Sequence, residues 1–561
     1  MIYRWFLSIS SGLLLFLSWP PNNSFSFFIF FSLVPLLVIE TQIQKKQLKY
    51  TAFFLYSYLS FFIFNCSTTF WIYHAHFGGA IFAILCNSLF MAFVFYLYAK
   101  IKNSYNSKKL FFLLPVLWIS FEYLHLNWDL SWPWLSLGNV FAANVDVIQW
   151  FSFTGVLGGS LWILIVNLLV AKILTGDILS YKIIRKIIIT VLIIISPIYI
   201  SKHHLFHSQN HDDNKSINAL IVQPNIDPYK DKFRLKQFQQ TDLVISTISP
   251  YLQNEINCII LPETFLTNPI WEHKINNNLD IKRLKEIVLN NDNLNSSFNT
   301  PLNIIVGATT LTKSNHNLVN NAQQTYRKIH NSAVHIGYNL EDIMSVKYEK
   351  KFKIDIYHKS KLVPGAEQIP FYNFLQYFVK NQLLQIGSST SLGNFTKQDT
   401  VSLFSSFFYA NNKEKPVGGL SVDQYFLAPI ICYESIYGDY VRKFVYEGAN
   451  LILIITNDGW WNDTPGYKQH HAYAKLRAIE TRRYIARSAN TGISSVIDPF
   501  GNIEHHLDWN IRGVIEAKLP LLSKNTFYVL YGDYLGRISS FLAVLFILVF
   551  LLNNKLSISR R

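Results

Sequence analysis

The chain has 561 residues, enough for more than one domain, and 50% of them are hydrophobic while only 15% are charged. This balance is unusual for a soluble protein and, with a positive mean hydropathy, indicates a membrane protein. The net charge of +15 does not indicate a nucleic-acid partner, because the basic residues cluster beside hydrophobic segments, where membrane topology explains them.

Residues 1–201 contain about seven hydrophobic segments of membrane-spanning character. The first follows Arg4, as in a signal peptide, but LSWPPNN offers no small-residue cleavage site and a second hydrophobic segment follows at once. We therefore predict an uncleaved span. One further apolar segment, 534–552, precedes a basic tail at 553–561. The N-terminal spans are predicted at 5–20, 24–40, 51–73, 79–99, 110–126, 156–174 and 183–201.

The connecting loops predict an orientation. Lys and Arg are concentrated after the second, fourth and sixth spans, whereas the alternate loops WPPNNS, HAHFGG and HLNWDLSWPWLSLGN contain neither. By the positive-inside rule the N-terminus is cytoplasmic, and seven spans place the chain after residue 201 outside the inner membrane. Lys555, Arg560 and Arg561 then return the C-terminus to the cytoplasm.

The polar residues 202–216 are predicted to form a linker. Its histidines raise the possibility of a metal site, but without helical or hairpin spacing a solvated linker is favoured. They are His203, His204, His207 and His211. From 217 to 530, short apolar runs such as INALIVQ, NIIVGA and LILIIT alternate with helical or polar stretches, which is typical of an α/β domain. A helix is predicted after Asp463 or Thr464 as cap, with Pro465 in its first turn.

Three apolar runs of this domain end in reactive side chains. LAPIIC ends in Cys432, CIILPET places Glu263 just past a strand, and KIDIYHKS places Lys359 similarly. Open α/β sheets place active sites at strand carboxyl ends. A lone strand-end cysteine is more often a packed small hydrophobe, as predicted for Cys66, Cys86 and Cys258. Glu263 and Lys359 in comparable positions favour a catalytic role for Cys432 instead. A thiol nucleophile needs a base to take its proton, and the oxyanion of the tetrahedral intermediate needs a cation.

These motifs carry a resemblance. Glu263 in LPET, Lys359 in YHKSKLVPGAE and Cys432 in ICYES together resemble the Glu-Lys-Cys triad of the nitrilase (carbon–nitrogen hydrolase) superfamily. Over essentially its full length the chain is similar to a membrane-embedded family within it, the bacterial apolipoprotein N-acyltransferases. The resemblance implies a polytopic α-helical membrane domain and a periplasmic α-β-β-α sandwich at 217–530.

The resemblance also implies supporting residues. Glu367 in VPGAEQIP matches a glutamate that supports the catalytic lysine, and Tyr433 with Glu434 completes the family's CYE signature. The segment TNDGWW resembles an NDxW segment, with a purely structural turn as the rival interpretation. Its residues with expected site-supporting roles are Asn457, Asp458 and Trp460.

Substrate contacts are less well indicated. The loop QPNIDPYKDKF lacks the tryptophan that family members can carry there, so Phe233 is the expected substitute. Trp132 and Trp134 in WPWLSLGN resemble a family loop, which implies a lid or lipid contact. The helical pattern of 371–386 has an apolar face that fits either a membrane interface or the domain's own core.

The implied reaction is acyl transfer through a cysteine thioester. The expected partners are a phospholipid acyl donor, a diacylated apolipoprotein acceptor and the lipid bilayer, with no nucleic acid, no metal and no cofactor, and the chain is expected to be a monomer. One alternative is a membrane-anchored amidase acting on soluble amides. The other alternative is a non-catalytic transporter or scaffold. The spans contain few charged residues, whereas transport paths usually keep ionisable groups within the membrane, and this argues against a transporter. Glu122, near the outer end of the fifth span, is the main exception and could face the site cavity.

Overall fold

The computed structural model describes residues 2–105, 110–176, 181–207, 215–232, 234–291, 301–313, 327–338, 352–372, 395–410 and 421–559. The chain divides into two compact units. The helical unit comprises Met1–Asn210, Thr464–Leu476 and Thr526–Arg561. The α/β unit comprises His211–Asp463 and Arg477–Asn525.

In the helical unit, a helix lies at each position where the sequence predicts a hydrophobic span. The longer helices are Ile2–Ser18, Val34–Lys45, Tyr50–Thr69, Phe77–Ser104, Leu113–His125, Phe151–Leu174, Tyr181–His207 and Tyr534–Ser559. Shorter helical segments are Asn23–Phe28, Ile29–Ser32, Ile72–Ala75, Pro133–Leu135, Leu137–Ala143, Val145–Val147 and Phe527–Tyr531. The helix from Tyr181 continues to His207, so helical structure extends into the predicted linker.

Within the described residues, five helical segments are long and apolar enough to cross a membrane. They are Ser24–Lys45, Phe77–Ser104, Phe151–Leu174, Ile183–His203 and Tyr534–Asn553. Ile2–Ser18 is apolar but shorter. The prediction of a membrane protein is therefore confirmed, whereas the count of eight spans stays a prediction.

The segment 464–476 groups with the helical unit although it lies far along the chain, within the predicted 217–530 domain. Gln469 Oε1 accepts a 2.7 Å hydrogen bond from Trp134 Nε1, and the Tyr473 hydroxyl donates to the Trp134 carbonyl at 3.0 Å. A Cβ atom at Gly466 would lie 2.6 Å from Trp71 Cδ2, so only glycine fits there. Buried hydrogen bonds and close packing therefore attach this segment to the N-terminal helices.

The α/β unit contains thirteen strands in the described residues, and every apolar run predicted as a strand forms one. They are β1 (Ser216–Gln223), β2 (Cys258–Ile260), β3 (Leu266–Trp271), β4 (Asn303–Lys313), β5 (Arg327–Tyr338), β6 (Phe352–His358), β7 (Phe404–Ala410), β8 (Ser421–Ile431), β9 (Leu451–Thr456), β10 (Ile485–Ala489), β11 (Ser494–Ile497), β12 (Ile503–Leu507) and β13 (Gly513–Pro520). The helices of this unit are Gln237–Ile248, Leu279–Asn290 and Gly438–Tyr446, with short turns at Ser249–Tyr251, Glu272–Asn277, Cys432–Ile436 and Asp458–Trp461. The helix Pro465–Thr481 begins at the predicted proline and continues past Leu476 into this unit.

The strands form two sheets. The first has the order β13-β1-β2-β4-β5-β6, with β3 paired to β4, and the second has the order β12-β11-β10-β9-β8-β7. The central pairs β1–β2, β2–β4, β8–β9 and β9–β10 are parallel, as is β3–β4, and the remaining pairs are antiparallel. The predicted α/β domain is therefore present, and the parallel central strands of each sheet end at the same edge.

The apolar core of the first sheet lies under the helices Gln237–Ile248 and Leu279–Asn290. Ile304, Val306, Val334 and Ile336, at alternate positions of β4 and β5, belong to this core. The intervening residues point to the opposite face of the sheet, as Asn331 and His335 do. On the other side, the Ser488 hydroxyl of β10 donates to the Val222 carbonyl of β1 at 2.8 Å, so the two sheets are in contact.

Candidate active site

The centre of the site is a buried lysine between two carboxylates. Lys359 follows β6 directly and is 1% exposed. Its Nζ donates to Glu263 Oε1 at 3.0 Å and to Glu367 Oε1 at 2.9 Å. Burial alone would lower the pKa of this ammonium, but the two carboxylates outweigh burial and raise it well above its ordinary value. Lys359 is therefore a fixed positive charge.

Glu263 is held as an ionised acceptor. Burial raises the pKa of its carboxyl, but Lys359 and the Asn331 amide, which donates at 2.8 Å, outweigh burial and hold that pKa below its ordinary value. The same amide donates to Glu367 at 3.0 Å, and the Val363 backbone N–H donates to the other Glu367 oxygen at 2.8 Å. Asn331 thus bridges the two carboxylates that flank the lysine.

Cys432 begins a sharp turn where β8 ends. Its φ of +49° is in the left-handed region, which a side chain bearing a Cβ adopts only when its surroundings enforce it. The Ser435 hydroxyl donates to the Cys432 carbonyl at 2.8 Å and stabilises this turn. Burial and Glu263 raise the pKa of the thiol, while Lys359 and a hydrogen bond with the Thr456 side chain act in the opposite direction. The resting site therefore holds a neutral thiol beside an ionised carboxylate.

Glu434 connects the turn that carries Cys432 to the loop that carries Lys359. One of its carboxyl oxygens accepts from the Tyr357 hydroxyl and the Ser360 N–H, both at 2.6 Å. The other accepts from the Ile431 N–H at 2.8 Å, immediately before Cys432. Burial raises the pKa of this carboxyl to about 7. Glu434 thereby holds together the two chain segments that carry Cys432 and Lys359.

The turn after β9 is anchored by a second buried ion pair. Asp458 accepts from Arg487 Nη2 at 2.7 Å, and both side chains are fully buried. With the Asn457 amide assigned in the orientation that satisfies its neighbours, its oxygen accepts from Lys232 Nζ at 3.0 Å and from Trp460 Nε1 at 3.3 Å. The Tyr229 hydroxyl donates to the Trp460 carbonyl at 2.7 Å. This turn therefore meets the loop that follows β1.

The carbon–nitrogen hydrolase family model matches residues 221–523, more than half of the chain. The chain belongs to the carbon–nitrogen hydrolase family. Residues 11–169 match the apolipoprotein N-acyltransferase N-terminal domain.

Two relatives that match over almost their full length are apolipoprotein N-acyltransferases. The apolipoprotein N-acyltransferase of Chlorobaculum tepidum is 28% identical over 95% of this chain and 94% of its own length. That of Thermotoga maritima is 26% identical over 97% and 93%. Among solved structures, Saccharomyces cerevisiae Nit3, of the nitrilase superfamily, is 15% identical and covers 56% of this chain and 93% of its own, with a TM-score of 0.34. The two family models and the full-length relatives confirm the predicted resemblance and the prediction of an acyltransferase.

The structure adds residues to the carbon–nitrogen hydrolase site that sequence patterns did not indicate. Lys232, 2% exposed, donates to Thr264 Oγ1 at 2.6 Å and to the Glu263 carbonyl at 3.3 Å. Burial lowers its pKa to about 8, against the opposing effect of Glu263 and Cys432. Gly307 of β4 contributes space, because a Cβ there would lie 2.5 Å from Glu263 Cα. Lys232 lies in a polar loop, where no sequence pattern indicates a site residue. For Asn331 the sequence offers one weak signal, a polar side chain next to the apolar part of a strand.

Of the predicted substrate contacts, Trp132 and Trp134 belong to the helical unit and the others fall outside the described residues. Phe233 and residues 373–386 are not among the described residues. In the helical unit, Trp134 is buried and stacks on the half-buried Trp132 with ring centroids 5.7 Å apart. Glu122 accepts from Trp118 Nε1 at 2.9 Å and from the Leu137 N–H at 2.7 Å. It therefore braces the loop that carries the tryptophans, whose contact with substrate stays a prediction.

Proposed function

We propose that this protein transfers a fatty acyl chain from a membrane phospholipid, through a thioester on Cys432, to the N-terminal amine of a diacylglyceryl-modified lipoprotein. The observation that carries the proposal is the buried lysine between two carboxylates, close to a strand-end thiol. The described residues of the same chain include five apolar helical segments of membrane-spanning length. The names of the full-length relatives support the choice of substrates.

In the first half-reaction, Glu263 takes the Cys432 proton as the thiolate attacks the ester carbonyl carbon of the phospholipid. The C–S bond forms while the carbonyl electron pair moves to oxygen, and the Lys359 ammonium stabilises that oxyanion. The tetrahedral intermediate then expels the lysophospholipid alkoxide, which takes the proton from Glu263. The products are an acyl thioester and a lysophospholipid.

In the second half-reaction, the lipoprotein amine attacks the thioester carbon and Glu263 receives the amine proton. Lys359 stabilises the oxyanion again, and the Cys432 thiolate leaves and regains a proton from Glu263. Because burial raises the thiol pKa, the free thiolate is unfavourable at rest, and proton transfer is coupled to each attack. The Lys359 ammonium keeps its charge throughout, so it can stabilise the oxyanion of both tetrahedral intermediates.

The membrane setting explains the selection of an amine over water. Both substrates carry lipid chains, so they reach the site at high effective concentration in the plane of the bilayer. We propose a bacterial inner-membrane location, with both termini cytoplasmic and the α/β unit periplasmic, in agreement with the Lys and Arg content of the loops. Reporter fusions at 202–216 are expected to be active only outside the cytoplasm, and fusions at 41–50 and 100–109 only inside.

The proposal is tested with the purified full-length protein in phospholipid. Two acceptors are compared, a diacylated lipopeptide and the same peptide without lipid. Triacylated product is expected only from the lipopeptide, with slow release of free fatty acid in both reactions. Cys432→Ser provides the matched protein control, because it preserves the turn and removes the thiol. If free fatty acid, or ammonia from small amides, were the main product, the enzyme would be a hydrolase.

A further inference from the structure

Three side chains of the α/β unit that take no part in the proposed reaction converge on one point. Glu272 begins the turn after β3, His330 lies in β5, and His358 is the last residue of β6. One carboxylate oxygen and one nitrogen from each imidazole lie within 4.8 Å of one another. Because three separate elements supply them, the convergence arises only in the folded sheet.

Outer contacts prepare these groups to act as ligands. His330 Nδ1 is 2.9 Å from the Thr396 carbonyl, a contact that requires this nitrogen to donate and leaves Nε2 with its lone pair. Nε2 faces the Thr312 hydroxyl at 2.9 Å. The Thr310 hydroxyl donates to Glu272 Oε1 at 2.8 Å. Metal-binding histidines almost always donate their second nitrogen to a carbonyl or carboxylate, and metal-binding carboxylates are hydrogen-bonded in turn.

We propose that Glu272, His330 and His358 bind a divalent transition-metal ion of the zinc class. Two imidazoles and one carboxylate are a ligand set that zinc accepts, and three protein ligands leave a fourth position for water. His358 Nε2 lies 2.7 Å from Glu272 Oε1, where its proton occupies the place that an ion would take. The sequence predicts no metal site in this domain, because the three residues are far apart in the chain.

Binding requires a local rearrangement. The two imidazoles stack with centroids 4.0 Å apart and planes 18° from parallel. An imidazole lone pair lies in the plane of its ring, so two nearly parallel rings cannot both point at one ion, and His358 Nε2 must also give up the proton it shares with Glu272. Rotation about the terminal side-chain bonds, whose torsional preferences are broad, makes the lone pairs converge. His358 and Glu272 keep about a fifth of their side chains exposed, at 19% and 22%, so an ion can enter from solvent.

The proposed ion site lies behind the catalytic face. His330 precedes Asn331, and successive strand residues point to opposite faces of a sheet. His358 likewise precedes Lys359. An ion held there contacts no reacting atom, and it ties β5 and β6 to the turn after β3 next to two residues of the catalytic cluster. The site therefore stands independently of the proposed acyl transfer.

The test uses the full-length protein in detergent, treated with chelator and then dialysed against zinc. The background variant replaces the four histidines at 203, 204, 207 and 211 with glutamine, because they could bind zinc on their own. This background is expected to retain one zinc per chain by elemental analysis and to give a cobalt(II) spectrum of low coordination number. Zinc is also expected to raise its unfolding temperature, since a ligand that binds only the folded state stabilises it.

His358→Gln and Glu272→Gln in this background are expected to weaken zinc binding by more than the roughly 10–100-fold that loss of an outer contact costs. His506→Gln, at an exposed position of β12, is the matched control and is expected to change nothing. Both test residues are partly exposed, so folding without zinc is expected to persist and is checked by circular dichroism. Equal zinc binding by background and variants, or loss of all zinc with the linker histidines, would overturn the proposal.

Discussion

The two units bury polar groups in different ways. In the helical unit, buried polar side chains are mostly neutral and bind backbone atoms: Asn167 donates to the carbonyls of Ile29 and Ile163 and accepts from the Leu33 N–H. In the α/β unit, full charges are buried in pairs, as in Lys359 with Glu263 and Arg487 with Asp458. Neutral groups satisfied by backbone are tolerated in an apolar environment, whereas a buried ion requires a partner and further hydrogen bonds.

The outer surfaces differ in the same sense. In the apolar segment Ile183–His203, only Thr190 and Ser201 are buried within the protein. Ile188, Leu192 and Tyr199 are among its exposed side chains. In the α/β unit, the large apolar residues of the central strands are buried. The helical unit thus exposes apolar side chains, as a membrane-spanning unit does. The α/β unit buries its apolar side chains and holds its buried charges in pairs.

The largest expected effect comes from replacing single cysteines by alanine in the two units. Cys432→Ala is expected to form no acyl adduct and to lower turnover on the order of 10⁴-fold or more, since loss of a nucleophile removes the covalent route. Cys66→Ala, in the helical unit, and Cys258→Ala, in β2, are expected to retain activity. Intact-mass analysis with phospholipid measures the adduct. A normal acylation rate in Cys432→Ala would end the covalent mechanism.

Next in size is the loss of the proton acceptor. Glu263→Gln keeps the shape of the side chain but cannot take the thiol proton, so the acylation rate is expected to fall about 10²–10⁴-fold. Glu367→Gln, which alters only the second partner of Lys359, is expected to have the smaller effect. Single-turnover acylation of Cys432 measures both. Equal losses would show that the two carboxylates act only by fixing the lysine.

A third, smaller effect is expected from filling the space beside Glu263 in the α/β unit. Gly307→Ala places a Cβ against the Glu263 backbone, and a displacement of about 1 Å at a catalytic group can cost on the order of 10²-fold in rate. In Gly337→Ala the nearest atom is the Asn303 side-chain oxygen, at 2.5 Å, away from the triad. We expect Gly307→Ala to lower the acylation rate and Gly337→Ala to lower only the unfolding temperature. Unchanged kinetics in Gly307→Ala would contradict this packing argument.

A pH profile tests the second buried lysine. With a pKa of about 8, Lys232 is charged below that pH and neutral above it, so acylation is expected to decline as pH rises through about 8. Lys232→Met removes charge-assisted hydrogen bonds worth roughly 1.5–3 kcal/mol, which corresponds to about a 10–100-fold lower rate if they act in the transition state. Its profile is expected to be flat across this range.

The control for Lys232 is Lys230→Met, at an exposed position of the same loop, which is expected to keep both the rate and the alkaline decline. Acylation is measured without acceptor, so that the acceptor amine does not contribute to the profile. An unchanged alkaline decline in Lys232→Met would assign that titration to another group.

The smallest effect is expected in the helical unit. Tyr473→Phe removes a hydroxyl that accepts from Trp19 Nε1 and donates to the Trp134 carbonyl, both at 3.0 Å. Leaving these buried groups unpaired costs about 1–3 kcal/mol. A lower unfolding temperature in detergent is therefore expected, with near-normal acylation by the folded protein. Tyr531→Phe, at an exposed position, is the control, and equal unfolding temperatures for the two variants would show that the buried hydroxyl is not stabilising.

Much of the fold could be predicted from local pattern. Apolar runs such as Leu451–Thr456 form strands, and Pro465 begins a helix, because strand and helix periodicity and proline geometry act over a few residues. The carboxyl ends of these runs also located Glu263, Lys359 and Cys432. The ion pair between Lys359 and Glu263 agrees with the predicted cluster.

The remaining partners were decided by tertiary structure. Asn331 lies between His330 and Ser332 in β5, and Lys232 lies in a polar loop. A polar residue within a strand is a weak signal, and nothing local shows which distant carboxylates either side chain meets. The grouping of 464–476 with the helical unit likewise depends on contacts with residues more than 300 positions away in the chain. The sequence by itself determined the elements and the chemical groups at their ends, because those follow from local physics. Which distant groups share a buried proton or charge was decided only when the sheets and helices packed.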